Sequence, residues 1–75
     1  MISKEKYIEA MDILNHTPDK EPFYSKYSKT DMLDMIEITL RGNINPIFRN
    51  RIKSKSEAYS CLLQAVTQAK ALGIM

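Results

Sequence analysis

The chain has few of the residues from which catalytic and metal centres are built. Its 75 residues include one histidine, one cysteine and no tryptophan. Enzymes need convergent groups with tuned protonation, and a zinc site needs three or four spaced ligands. We therefore expect no enzymatic activity, no metal and no other cofactor. We interpret His16 as a helix-end residue that faces Asp12, and Cys61 as an unreactive small side chain.

Glycine and long apolar runs are also scarce. The two glycines, Gly42 and Gly73, each follow a helical pattern, so both are predicted to end a helix and neither belongs to a phosphate-binding loop. No apolar run approaches the roughly 20 residues of a membrane span, and the N-terminus lacks a signal-peptide pattern. A lone cysteine forms no internal disulfide. We expect a cytoplasmic protein with no membrane partner.

Most of the chain shows helical periodicity. Apolar residues recur at three- and four-residue intervals, and residues suited to capping precede each pattern. The predicted helices cover about 4–15, 29–41, 46–52 and 55–72. Two helices are favoured over one in 46–72, because Ser54 and Glu57 have the spacing of a capping box that opens a second helix.

Segment 16–28 has two prolines and no clean period, so it is predicted to connect helices, with one short helical turn opened by Pro22. It holds three of the six aromatic residues. In so short a chain we favour core capping by the phenylalanine and one tyrosine. The alternative is a binding site, because Tyr24, Lys26 and Tyr27 interleave rings and cations as in proteins that hold nucleotides or single strands.

These elements predict an all-α fold, a compact bundle of three to four helices with an aromatic-rich loop at 16–28, in one domain over 1–75. Helix 29–41 is expected at the centre, because apolar residues cover more than half its circumference. The last helix has a stripe of small residues. We favour internal packing as its role, and self-association is the second interpretation. Self-association would stabilise a domain of this size, which buries only about 60% of its unfolded surface. The stripe consists of Ala58, Leu62, Ala65 and Ala69.

Acidic residues are scarce in the second half. Residues 1–40 hold 8 acids and 5 bases, whereas residues 41–75 hold 1 acid and 6 bases. The stretch NPIFRNRIKSKSE, residues 45–57, carries Arg49, Arg51, Lys53 and Lys55. If the stretch is helical, like charges four residues apart repel, so phosphates, acids of the fold or acids of a partner must offset them. Three of the eight acids of the first half lie in helix 29–41.

Those acids are interpreted as a solvated face of helix 29–41, formed by Asp31, Asp34 and Glu37, with a helical pair between Glu37 and Arg41. For the basic stretch, pairing with the acidic half or plain solvation is favoured over nucleic-acid binding. The helix 29–41, the GNIN turn and the helix from Pro46 only loosely resemble a helix-turn-helix. The isoelectric point near 8.8 is also below that of a dedicated DNA-binding domain.

The sequence thus predicts a small, non-enzymatic helical protein that binds another macromolecule, foremost a protein, as a regulator, inhibitor or adaptor. Its size is what we expect of a bacterial or phage accessory protein, and a homo-oligomer is a further expectation. The alternative is a nucleic-acid or nucleotide-binding module that uses the basic segment 49–55 or the Tyr24/Tyr27 loop. The candidate binding residues are Arg49, Arg51, Lys53, Lys55, Tyr24, Lys26 and Tyr27.

Overall fold

Five α-helices and no strand make up the fold in the computed structural model, which describes residues 2–74. The helices are α1 (Lys4–His16), α2 (Glu21–Lys26), α3 (Lys29–Leu40), α4 (Pro46–Arg51) and α5 (Lys55–Leu72). The all-α bundle is confirmed, and the four predicted helices have the predicted bounds to within one residue. The additional helix, α2, lies inside the predicted connection 16–28 and has Pro22 in its first turn.

Side-chain caps begin four of the helices. The capping oxygens belong to Ser3 of α1, Ser28 of α3, Asn45 of α4 and Ser54 of α5. In α3 the box is reciprocal, because the Asp31 N–H donates to Ser28 Oγ at 3.1 Å and the Ser28 N–H donates to Asp31 Oδ2 at 3.2 Å. α4 and α5 have separate caps and are interrupted between Arg51 and Lys55. The prediction of two helices is confirmed.

The end of α3 differs from the prediction. Arg41, and not Gly42, adopts the left-handed conformation, with φ of 56°. The helix ends one residue earlier than predicted, so the left-handed position falls on Arg41, while the Gly42 N–H donates to the Glu37 carbonyl at 3.1 Å. A non-glycine residue costs roughly 1–2 kcal/mol in this conformation. At the end of α5, Gly73 has φ of 74°, as its position predicted.

α3 is the central helix and packs most extensively against α5. The residues Met32, Leu33, Met35 and Ile36 of α3 are all buried. They meet the small stripe of α5, whose members Ala58, Leu62, Ala65 and Ala69 are also buried. Small side chains let two helix axes approach closely. The stripe therefore serves internal packing, as favoured, and a role in self-association stays a prediction.

Two polar contacts join α1 to α3. The Tyr7 and Thr39 hydroxyls lie 2.7 Å apart, and Lys6 Nζ lies 3.2 Å from Asp31 Oδ2. Burial alone would raise the pKa of Asp31. The hydrogen bonds that its carboxylate accepts from Ser28 and Lys6 outweigh this effect, so its pKa is lowered. The charged carboxylate is therefore favoured at this helix start.

The aromatic residues of segment 16–28 cap one end of the core. Phe23 and Tyr27 are each 1% exposed, and their ring centroids lie 4.9 Å apart. Tyr59 of α5 makes edge contacts with Phe23 at 5.5 Å and with the half-buried Tyr24 at 5.1 Å. The core-capping interpretation of the segment is confirmed.

Tyr27 carries a buried hydroxyl with no hydrogen-bond partner among residues 2–74. Burial, followed by the charge of Asp31, raises its pKa. An unpaired buried hydroxyl contributes no stabilising hydrogen bond and keeps its desolvation cost. We expect Tyr27→Phe to leave the free energy of unfolding in urea unchanged or to raise it by up to about 1 kcal/mol.

The matched variant is Tyr7→Phe, which removes a hydroxyl that is hydrogen-bonded to Thr39. It should lower the free energy of unfolding by about 1 kcal/mol. Equal losses in the two variants would contradict this assignment.

Candidate functional site

Arg49, the first residue of the predicted basic site, points into the fold. Its Nη2 donates to Asp34 Oδ1 at 2.6 Å, and its Nη1 donates to Glu37 Oε1. The Arg49 side chain is 29% exposed, and those of Asp34 and Glu37 are each 10% exposed. The hydrogen bond to Asp34 is the main cause of the raised pKa of Arg49. The fold's own acids therefore neutralise the cation of Arg49.

The predicted solvated acidic face of α3 is wrong for Asp34 and Glu37. Asp34 is buried, and Glu37 pairs with Arg49 and not with Arg41. The Arg41 guanidinium instead donates to the Ile74 carbonyl at 3.2 Å. A helical wheel places the acids correctly on one face of α3 but does not show that α4 folds back over that face. The two carboxylates are part of the packing between α3 and α4.

The Tyr24/Tyr27 loop is also engaged within the fold. The Tyr27 ring is buried and offers no face to a ligand, and Tyr24 packs edge-on against Tyr59. Lys26 pairs with Glu9, and Lys55 Nζ donates to the Tyr24 carbonyl. The rings and cations do not form the stacking surface that base recognition requires.

Arg51 and Lys53 are the remaining predicted residues, and both are exposed. Neither forms an ion pair or a side-chain hydrogen bond with another residue in the range 2–74. The seven predicted residues thus do not converge on one ligand. The predicted basic site is therefore reduced to two exposed cations near the end of α4.

A groove that the sequence did not predict is bordered by α4, the helix that ends at Arg51. It has a volume of about 430 Å³ and runs between the end of α3, the 41–45 loop, α4 and α5. None of the eleven residues that line it in the described structure carries a charge. We call it the Phe48 groove and define it by Leu40, Ile44, Phe48, Cys61, Gln64 and Gln68.

α4 exposes apolar side chains at the groove. Phe48 is 44% exposed and the neighbouring Ile47 is 66% exposed, although large apolar side chains are usually buried. The cap of Asn45 starts the helix, and the contact of Arg49 with α3 sets its orientation. Because residues on one helical turn point in different directions, this orientation leaves the side chains of Ile47 and Phe48 outside the core.

The outer face of α5 continues the groove. A shallow depression there is lined by Leu63, Gln64, Thr67, Gln68 and Ala71, again without a charged side chain. This absence is visible in the sequence, since residues 58–69 (AYSCLLQAVTQA) contain no charge. The solvent face of a helix normally carries charged and polar residues. The charge-free run is the sequence signal that could have located this surface.

Other kinds of site find little support in the described structure. Within residues 2–74, no group of three or more His, Cys, Asp or Glu side chains is placed to hold a metal ion. His16 Nδ1 lies 3.1 Å from Asp12 Oδ1, which confirms the predicted helical pair. Among the described helices, none is both long enough and apolar enough to cross a membrane.

Comparisons with known proteins give no assignment. No protein-family model, no curated protein and no solved structure matches the chain. The function therefore has to be inferred from the chemistry of the Phe48 groove and of the two exposed cations near the end of α4.

The structural role of Arg49 can be separated from that of Arg51. Arg49→Gln should lower the free energy of unfolding by about 2 kcal/mol, because it removes the guanidinium that pairs with two largely buried carboxylates. Arg51→Gln, the same change two residues later, should alter it by less than about 0.5 kcal/mol. Urea denaturation at low salt measures both values, and similar losses would contradict the assignment.

Proposed function

We propose that this chain is a non-enzymatic, cytoplasmic protein that binds another protein in the Phe48 groove and acts as a regulator, inhibitor or adaptor. The observation that carries the proposal is the exposed Phe48 ring in a groove without charged residues. The central part of a protein interface is poor in charge and rich in aromatic residues. Arginine is also enriched among the residues that contribute most to binding, and Arg51 lies one helical turn from Phe48.

A small-molecule ligand fits the groove less well than a protein does. Its volume lies within the range of small-ligand pockets. Such pockets, however, orient their ligands with a few precisely placed polar groups, often including a charged residue. The side chains that line this groove supply only amides and one thiol as polar groups. An apolar surface of a partner protein needs fewer hydrogen bonds of fixed direction from the residues that line the groove.

Nucleic-acid binding is the second candidate, favoured by the exposed Arg51 and Lys53. With two phosphate contacts, the slope of the logarithm of the binding constant against the logarithm of the salt concentration would be only about −2. Proteins that bind DNA well make about 6–10 such contacts. Arg49 cannot readily supply a third contact because Asp34 and Glu37 hold it. We therefore rank this function below protein binding.

A charge placed in the groove tests the proposal. The tagged protein is purified natively from its host as wild type, as Gln64→Lys and as Ser25→Lys. Gln64 lines the groove, whereas Ser25 is exposed on α2 outside it. We expect mass spectrometry to find a partner with the wild type and with Ser25→Lys, and at least a ten-fold loss with Gln64→Lys, because a buried unpaired charge costs several kcal/mol.

Circular dichroism and urea denaturation establish that both lysine variants are folded. The partner should survive high salt, because an apolar interface depends little on ionic strength. A partner retained equally by both variants would contradict binding in the groove. Nucleic acid that is detected by the 260/280 nm absorbance ratio and lost at high salt would favour the second candidate.

A further inference from the structure

The exposed face of α4 combines apolar side chains with a cation. Arg51 lies three residues after Phe48 and four after Ile47, so all three project from one side of the helix. Phe48 lines the groove, Ile47 is the more exposed of the two apolar residues, and Arg51 has no ion-pair partner within residues 2–74. Lys53 lies two residues after the end of the helix and is also exposed.

Within residues 2–74, no ion pair joins Arg51 or Lys53 to an acidic side chain. Residues 41–75 contain one acid, Glu57, whose carboxylate accepts a hydrogen bond from the Ser54 hydroxyl at the start of α5. The nearest acids of α3, Asp34 and Glu37, are engaged with Arg49. The floor of the groove is therefore uncharged, while its edge at the end of α4 is positive. A ligand that complements both parts is apolar in the middle and acidic at the border.

The shape of the groove favours a helical ligand. Residues 2–74 contain no strand, so an extended peptide finds no sheet edge to join. Phe48 is the only aromatic residue in the described lining, whereas grooves for proline-rich segments are lined by several. The α5 wall from Cys61 to Ala71 is about 15 Å long, which matches two to three turns of a docked helix.

We infer that the Phe48 groove binds an amphipathic helix of a partner protein whose apolar face is bordered by Asp or Glu side chains. The apolar face packs on Phe48 and on the outer face of α5, and the acidic border meets Arg51 and Lys53. This inference rests on the proposed function and adds the chemistry of the partner. The cations select among helices of similar hydrophobicity, which is the usual role of charges at an interface rim.

Two synthetic helical peptides test the inference directly. Each has about 14 residues with leucines at helical spacing, and they differ only in whether glutamate or lysine borders the apolar face. Titration into the ¹⁵N-labelled protein should shift the amide signals of Phe48, Cys61 and Gln64. We expect the glutamate peptide to bind about five-fold or more tightly than the lysine peptide at low salt, and the difference to shrink at high salt.

Charge reversal on the protein supplies the matched control. The double variant R51E/K53E should remove the preference for the glutamate peptide or reverse it. The double variant K4E/K20E has the same net charge but changes residues on α1 and before α2, outside the groove. It should keep the preference of the wild type.

The outcomes distinguish the inference from the proposed function. Equal binding of both peptides in the groove, or tighter binding of the lysine peptide, would overturn the acidic partner but leave a protein-binding groove. Failure of both peptides to shift groove signals would contradict both. Two further results would overturn the inference. One is self-association of the protein that Gln64→Lys abolishes, because the occupant of the groove is then a second copy of the chain. The other is displacement of the glutamate peptide by a DNA duplex whose binding requires Arg51 and Lys53.

Discussion

The ion pairs of Arg49 with Asp34 and Glu37 hold α4 against α3, and the Phe48 groove depends on this attachment. α4 buries none of its own residues. Its other attachment follows at its end, where Ile52 enters the core and Lys29 Nζ donates to the Ile52 carbonyl at 3.0 Å. A short helix held by a polar contact and by the residue after it leaves its apolar side chains exposed. The groove is one consequence of this arrangement.

The division of charge along the chain follows from the same arrangement. Acids of the first half are engaged within the fold: Asp34 and Glu37 with Arg49, Asp31 with Lys6, and Glu9 with Lys26. Arg51 and Lys53, the cations left exposed near the end of α4, form no ion pair with another residue in the range 2–74. Internal pairing and an external positive edge are thus compatible, although the sequence presented them as alternatives.

Much of the helical fold could be predicted from local chemistry. Ser28 with Asp31, Asn45 with Pro46, and Ser54 with Glu57 are signals that act within one helical turn, and each begins a helix where predicted. α2 was predicted only as one short helical turn inside a connection, because six residues with two aromatics show no clear period. At the end of α3, one residue of difference in helix length placed Arg41 in the position that Gly42 was predicted to take.

The candidate site was less accessible to sequence analysis, because it forms between segments. The pairing of Asp34 with Arg49 joins residues 15 positions apart, and no helical wheel contains both. The groove likewise combines the end of α3, α4 and α5. The charge-free run 58–69 is the available signal, because the buried stripe of α5 accounts for only one side of it. The exposed half is what distinguishes α5 from an ordinary surface helix.

Site-specific photo-crosslinking in the native host shows which molecule occupies the Phe48 groove. A photoreactive phenylalanine analogue replaces Phe48 in one variant and the exposed Ser25 in a control variant. We expect light-dependent adducts with another protein from position 48 and none from position 25. The absence of a protein adduct at position 48, or an adduct with nucleic acid there, would contradict the claim that the Phe48 groove is a protein-binding site.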